Sequence, residues 1–390
     1  MCKGFKAAGI AAGIKKNKEK DLGIIYCETD AVCAAVFTKN RVKAAPVLLD
    51  MERVRAGTCR AVIANSGNAN CCNGDAGMAC AVEMAAAVAR ALKIPETEVL
   101  VASTGVIGNP FPIEKIIQKT PNLVSLLSKD GFPDFASAIM TTDTVPKLIF
   151  RTGEIDGVPF SVTGVAKGSG MIRPDMATML CFVCTDIGID ADRLQAALSR
   201  ANEKSFNRIT VDGDTSTNDT VIVMANGASG AIVKTGEDYL VFSNILDDIL
   251  FRLAKMIVAD GEGATKCVTI IVNNAASDTE ARAAADTVAN SNLVKTALFG
   301  QDPNWGRIMG ALGRSGAAFD PDCVDIFFND AQMVASGQGC GDAAEARAAQ
   351  ILKQPEFDII IDLHAGDGTA SVLTCDLSEE YIRINADYRS

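Results

Sequence analysis

The sequence predicts an α/β fold of layered sheets covered by helices, closing in a C-terminal α/β lobe. Three observations carry that prediction. Short apolar, β-branched runs such as 179–185 (Met-Leu-Cys-Phe-Val-Cys-Thr) read as buried strands. An alanine-rich stretch over 76–93 is apolar on most sides, as a helix held between layers is. From about Ala275 the chain alternates helix and strand almost to its end.

The elements follow in order. Residues 23–28 and 32–37 are strand-like, and 60–65 is a third strand that ends at Ser66 and Gly67. A polar loop over 65–70 leads into the 76–93 helix, which Pro95 stops. Residues 99–102 form a strand delivering the turn 103–108 (Ser-Thr-Gly-Val-Ile-Gly), where glycine after Thr104 frees the backbone. Helical pieces near 113–119 and 135–140 precede Thr141-Thr-Asp-Thr144, a hydroxyl-rich segment suited to capping a turn or lining a pocket. Residues 162–167 make a strand that runs into a glycine-rich loop. Asp190 opens a helix with Leu194, Ala197, Leu198 and Ala201 on one face. The polar loop 212–219 precedes a strand over 220–225, and its carboxylates lack the spacing of a calcium loop. A helix over 245–259 and the glycine-bearing loop 260–266 come before a strand at 267–272. In the last lobe, helices are expected near 280–298 and 343–353. Strands are expected at 325–328, 357–362, 370–375 and 381–384.

Composition narrows the function. With 390 residues, 48% of them hydrophobic and 22% charged, the chain can fill two or three cores. Its net charge of −11 and the lack of a lysine- or arginine-rich run argue against nucleic acid or an anionic membrane as partner. No apolar stretch approaches the ~20 residues of a spanning helix, and the first twenty residues have no signal-peptide core. A soluble, cytoplasmic protein is the expectation. Its thirteen cysteines then read as reduced thiols, and no metal site is expected. Cys181 and Cys184, three apart on an extended strand, point to opposite faces. The single histidine, His364, lies in a glycine-bearing segment and reads most simply as a loop residue. A histidine-dependent triad is thereby disfavoured.

What remains is the stretch Lys167-Gly-Ser-Gly-Met-Ile-Arg-Pro-Asp-Met-Ala-Thr178, where a loop enters a strand. That position suits a threonine that becomes a new N-terminus once the Ala177–Thr178 bond is cut. A free α-amine beside its own hydroxyl supplies base and nucleophile in one residue.

This segment resembles the cleavage-site signature of the ornithine acetyltransferases, the glutamate N-acetyltransferases of arginine biosynthesis. The resemblance runs through 4–9 (Gly-Phe-Lys-Ala-Ala-Gly), 65–70 (Asn-Ser-Gly-Asn-Ala-Asn), 103–108, 141–144, 261–266 (Gly-Glu-Gly-Ala-Thr-Lys), 302–307 (Asp-Pro-Asn-Trp-Gly-Arg) and the last seven residues. It implies a fold analogous to the N-terminal-nucleophile hydrolases, self-cleavage and an α2β2 assembly. The fragments would be 1–177 and 178–390, the second divided into 178–274, carrying the nucleophile, and the lobe 275–390. By motif, Thr178 is the nucleophile, and Thr104 with Gly105 forms the oxyanion hole. Thr141 (or its neighbour Thr142), Lys167, Glu262, Asn385 and Ser390 contact substrate. The implied substrates are N2-acetylornithine and glutamate; no cofactor is implied, and acetyl-CoA stays open as a co-substrate. The chain departs from the family pattern at Arg173, Asp175 and Ser390, which add charge near the cleavage site and keep a terminal hydroxyl.

Two other readings compete. A self-cleaving N-terminal-threonine amidase or aminopeptidase would use the same nucleophile with water as acceptor. A non-catalytic binding protein would use the glycine-rich loops as turns only, and would not cut itself.

Overall fold

The computed structural model describes residues 2–173 and 179–387. Ala177, Thr178, Asp175 and Ser390, named above, lie outside them. The chain divides into two compact units, one of residues up to Asn207 with Asp214–Ile257, the other of Arg208–Gly213 with the chain from Val258 onwards.

The first unit is built on an eight-stranded sheet in the order β4-β3-β2-β8-β7-β6-β5, with β1 added beside β2. Its strands are β1 Phe5–Ile10, β2 Leu22–Phe37, β3 Thr58–Asn68, β4 Val99–Val106, β5 Lys147–Ile155, β6 Val158–Lys167, β7 Leu180–Thr185 and β8 Thr220–Ala225. The pairs β3–β4 and β7–β8 are parallel, and the others antiparallel. Its helices are α1 Ala45–Arg53, α2 Gly74–Leu92, α3 Ile113–Ser125, α4 Phe132–Ala138, α5 Ala191–Lys204 and α6 Gly236–Ala259.

Alternate residues of β2–β4 enter two cores. Ile24, Ala61, Ile63, Val99 and Val101 pack with Ala81, Met84, Ala85 and Val88 of α2. Ile25, Val62, Ala64, Leu100 and Ala102 share a core with Phe132 and Phe135 of α4, Val165 of β6 and Phe182 of β7. Both faces are covered, which is why these strands read as continuous apolar runs. Each ring buried this way contributes about 1.5–3 kcal/mol. Phe135 meets Phe182 edge-to-face at 5.4 Å.

That second core also reveals the sheet's curvature. β4 and β6 are five inter-strand steps apart in the sheet order, about 24 Å if the sheet were flat. Their side chains nevertheless share one core around α4. The sheet therefore curls over α4, as a strongly twisted sheet does.

The second unit carries a six-stranded sheet in the order β12-β11-β10-β13-β9-β14. Its strands are β9 Cys267–Ala275, β10 Asp325–Phe328, β11 Ala331–Ala335, β12 Gln338–Gly339, β13 Glu356–Asp362 and β14 Gly368–Cys375. Its helices are α7 Asp278–Ala289, α8 Asn292–Phe299, α9 Trp305–Leu312, α10 Asp342–Ile351 and α11 Glu379–Asp387. Because β9 belongs to this sheet, the compact unit starts ahead of Ala275, a division by packing and not by fragment.

The layered α/β reading holds, with four local corrections. Residues 22–37 form one long strand, because the polar residues Glu28–Asp30 are a register break inside β2. Strand β4 continues through Gly105, so Thr104 ends a strand and does not sit in a turn. The helix expected over 280–298 is two, because the Ser291 side chain accepts the Val294 N–H and caps a new start. The strand expected at 381–384 is helix α11, opened by the Ser378 hydroxyl accepting the Tyr381 N–H.

Candidate active site

In the first unit, three segments converge at the end of β6. The first is the parallel pair β3–β4, in which Ser66 lies opposite Thr104 and Gly67 opposite Gly105 before the register slips at Asn68. Gly105 has φ +130, and a Cβ there would lie 2.5 Å from the Gly67 carbonyl carbon. Only glycine fits, on both counts. Thr104 is buried, with its hydroxyl facing Lys167.

Asn218 ties this strand end to the loop before β8. Its amide donates to the Ala69 carbonyl at 2.7 Å and the Ser103 carbonyl at 2.8 Å.

The second segment is 141–147 and the third is the end of β6. The Lys167 ammonium donates to Thr141 Oγ1 at 2.7 Å and reaches Thr104 Oγ1 at 3.5 Å. It lies 3.8 Å from the Asp143 carboxylate. Asp143 Oδ1 accepts both the Lys147 ammonium and the Gly168 N–H at 2.7 Å, and its Oδ2 accepts the Thr141 N–H at 2.9 Å. Lys147, Asp143 and Lys167 are all buried. Burial alone would raise the Asp143 pKa, but the charges of Lys167 and Lys147 with these hydrogen bonds outweigh it and hold the carboxyl well below the usual range. Thr142 takes a different partner, the Ser169 hydroxyl at 2.7 Å. Of the two threonines, Thr141 is the one bonded to Lys167.

Lys167 pairs with Leu180 across β6–β7, so the chain leaves and re-enters the sheet on neighbouring strands. On the returning side, the Met179 N–H donates to Asp219 Oδ1 at 2.9 Å. Asp219 is fully buried, its Oδ2 has no hydrogen-bond partner, and no cation pairs with it among the described residues. Burial pushes its pKa well up, against the opposing pull of the Met179 N–H and the charge of Lys167.

Two further motif residues lie in the second unit. Glu262 accepts the Asn385 side-chain amide at 2.7 Å, a bond that α11 makes by placing Asn385 on its last turn. His364 is half exposed and bonded to Asp325 at 3.0 Å, and that bond raises its pKa. Its other close partner is Asp362, again a surface carboxylate, at 3.5 Å. Among the described residues, no group of three or more His, Cys, Asp or Glu side chains is spaced to hold a metal. All thirteen cysteines are free thiols.

The motifs exposed Thr104, Gly105, Thr141 and Lys167, and the structure brings these four together. It adds Asp143 and Lys147, as well as Asn218 and Asp219. Asp143 stood within the Thr-Thr-Asp-Thr motif, and Lys147 four residues on. Nothing in the sequence marked them as a buried ion pair, and the loop holding Asn218 and Asp219 read as polar surface.

Comparison with known proteins places this arrangement in a lineage. The ArgJ family matches residues 6–390. A protein of Geobacter sulfurreducens named arginine biosynthesis bifunctional protein ArgJ is 54% identical over 390 residues, covering 100% of this chain and 99% of its own. A relative of the same name from Syntrophotalea carbinolica is 50% identical over 389 residues, covering 99% of each. The crystal structure of the arginine biosynthesis bifunctional protein from Bacillus halodurans is 43% identical, with a TM-score of 0.51, over 53% of this chain and 98% of the solved one.

Proposed function

The chain belongs to the ArgJ family, and from that premise we propose that it transfers the acetyl group of N2-acetylornithine to glutamate through an acetyl ester on Thr178. The observation that carries the reading is the buried cluster of Thr104 of β4, Thr141 and Asp143 of the segment before β5, and Lys167 at the end of β6, the strand that precedes residue 178 in the chain.

The chemistry needs no histidine. Hydrolysis of the Ala177–Thr178 bond leaves Thr178 as an N-terminal residue. Its hydroxyl attacks the acetyl carbonyl while its own α-amine takes the proton. An α-amine of pKa about 7.7–8.0 is far better matched to neutral pH than a lysine at about 10.4. The Thr104 hydroxyl and the Gly105 N–H serve as the oxyanion hole, where charge develops as the tetrahedral intermediate forms. The C–N bond breaks, the proton passes to the leaving amine, and ornithine departs. The glutamate amine then attacks the ester and regenerates Thr178. Exclusion of water separates this transferase from an amidase with the same nucleophile. By the family resemblance, Glu262, Asn385 and Ser390 would supply further substrate contacts. Acetyl-CoA enters this scheme only as an alternative acetyl donor. The assembly we propose is two copies of each fragment.

The test is direct. The active protein is expected to run as fragments 1–177 and 178–390, and Thr178→Ala as one uncut, inactive chain. Mixing with N2-acetylornithine alone should add one acetyl group to the larger fragment. Amino-terminal sequencing that begins elsewhere than Thr-Met-Leu-Cys overturns the nucleophile. Release of acetate with no acetylglutamate formed would favour the amidase reading. Glutamate with acetyl-CoA as the only donor reads the second activity.

A further inference from the structure

Three lysines stand near the Thr104–Gly105 strand end, and their partners differ. Lys147 is ion-paired to Asp143, and Lys167 is held by Thr141 with Asp143 at 3.8 Å. Lys15 is half-buried and makes no ion pair among the described residues. Its ammonium donates one hydrogen bond there, to the Lys20 carbonyl at 3.1 Å. A lysine ammonium carries three donors.

The loop that presents Lys15 is fixed. Asp21 is fully buried, and its carboxylate accepts the N–H groups of Ala12 at 2.5 Å, Ile14 at 2.6 Å and Lys15 at 2.9 Å. The Asp21 carbonyl accepts the Ser66 N–H at 3.0 Å, which binds this loop to the strand end beside Thr104. The stem of Lys15 lies against Gly67. A Cβ on Gly67 would come 3.2 Å from Lys15 Cγ, and Gly67 is the strand partner of Gly105. Glycine there lets the lysine lie against β3, the strand paired with the one that carries the oxyanion donors.

Resting on the acetyl-transfer reading above, we propose that Lys15 is a specificity-determining residue, the cation that grips the α-carboxylate shared by N2-acetylornithine and glutamate. In both substrates that carboxylate is two bonds from the nitrogen that loses or gains the acetyl group. A cation beside the oxyanion strand is therefore where it is needed in both half-reactions. Electrostatics agree. Burial lowers the Lys15 pKa and Lys167 adds to that, while Glu19 and Asp21 oppose it without forming an ion pair. An arriving carboxylate relieves this strain.

The experiment compares Lys15→Met and Lys15→Arg with the unmodified enzyme on two donors, N2-acetylornithine and N-acetylputrescine, which is the same molecule without its α-carboxylate. Each preparation is first checked for complete self-cleavage. With N2-acetylornithine, Lys15→Met should lower kcat/KM about 10–100-fold, mainly through KM, the loss of one hydrogen bond to a charged group. With N-acetylputrescine it should change kcat/KM less than about twofold, and Lys15→Arg should recover most of the loss on the natural donor. If N-acetylputrescine turns over too slowly, its competitive inhibition constant replaces kcat/KM. Equal losses on both donors, or no loss on either, overturn the assignment of Lys15. An unmodified enzyme that transfers no acetyl group to glutamate overturns the functional reading itself, and this inference with it.

Discussion

The chain leaves the first sheet at Lys167 and returns at Leu180, and the two flanks of that excursion are built on opposite principles. On the departing flank, Asp143 is buried with two lysines and donates no proton to anything; it stays ionised and fixes Lys167, Lys147 and the Gly168 N–H together. On the returning flank, Asp219 is just as buried but is met by the Met179 N–H and the Thr38 and Ser216 hydroxyls, with no paired cation among the described residues. The same side chain in equal burial is thus driven toward opposite protonation states by its neighbours alone. In the proposed reaction, the charged flank organises groups that would meet a charged substrate. The flank without a cation holds the backbone of Met179, next in the chain to the proposed nucleophile.

The comparison breaks most visibly if the ion-paired flank is cut. Asp143→Ala leaves Lys147 and Lys167 buried without their carboxylate, and should destabilise the first unit by about 3–5 kcal/mol, read by urea unfolding at neutral pH. The pH dependence adds a sign. The Asp143 pKa is lowered on folding, so its contribution is present above the unfolded value of about 3.9 and is lost as pH falls below it. The gap between the unmodified protein and Asp143→Ala should therefore narrow with acidification. A gap that stays constant down to strongly acidic pH would show that Asp143 is not ion-paired.

Much of this architecture was legible in the sequence, for physical reasons that also mark where legibility ended. Strands β7 and β8 are buried on both faces, so their apolar runs announce them. Helix α5 is half-buried and capped by Asp190, so both its stripe and its start are written locally. The 381–384 segment misleads because Ile382 and Ile384 alternate as in a strand, while the signal that decides is the Ser378 hydroxyl at the helix start. At the site, local motifs gave the residues that touch each other through short turns. They could not give the curl of the sheet, which brings Thr104 of β4 within reach of Lys167, sixty-three residues away. That curl is set by the packing of α4 against strands drawn from both halves of the first unit. For the same reason nothing local marked Lys147 as part of this cluster.

The flank without a cation gives a smaller effect with the opposite slope. In Asp219→Asn the side-chain oxygen still accepts the Met179 N–H, but the new amide brings donors into a fully buried place, at a cost of about 1–3 kcal/mol. The Asp219 pKa is raised on folding, so its contribution is fully present below about 3.9 and is lost as pH rises through the folded value. Asparagine does not titrate. The gap between the two proteins should then narrow as pH rises above about 4, the reverse of Asp143→Ala. Unfolding of both variants across one pH series makes the contrast visible in a single plot, and a gap for Asp219→Asn that widens with pH would mean that this carboxylate is charged and paired.

The smallest effect separates two adjacent threonines on the ion-paired flank. Thr141 Oγ1 accepts the Lys167 ammonium at 2.7 Å, whereas Thr142 shares one hydrogen bond with Ser169. Thr142→Val removes only that hydroxyl–hydroxyl bond, worth about 0.5–1.5 kcal/mol to folding, and leaves Lys167 where it is. Thr141→Val keeps the shape but takes away an acceptor from a buried cation, so Lys167 must shift toward Asp143 or away from Thr104. Steady-state rates on the cleaved enzymes should therefore show Thr142→Val within about twofold of the unmodified protein in KM for N2-acetylornithine, and Thr141→Val about tenfold higher, as loss of about 1.4 kcal/mol of binding gives. If the two variants exchange these behaviours, it is the Thr142–Ser169 pair that orders the departing flank, and Lys167 does not depend on Thr141 for its position.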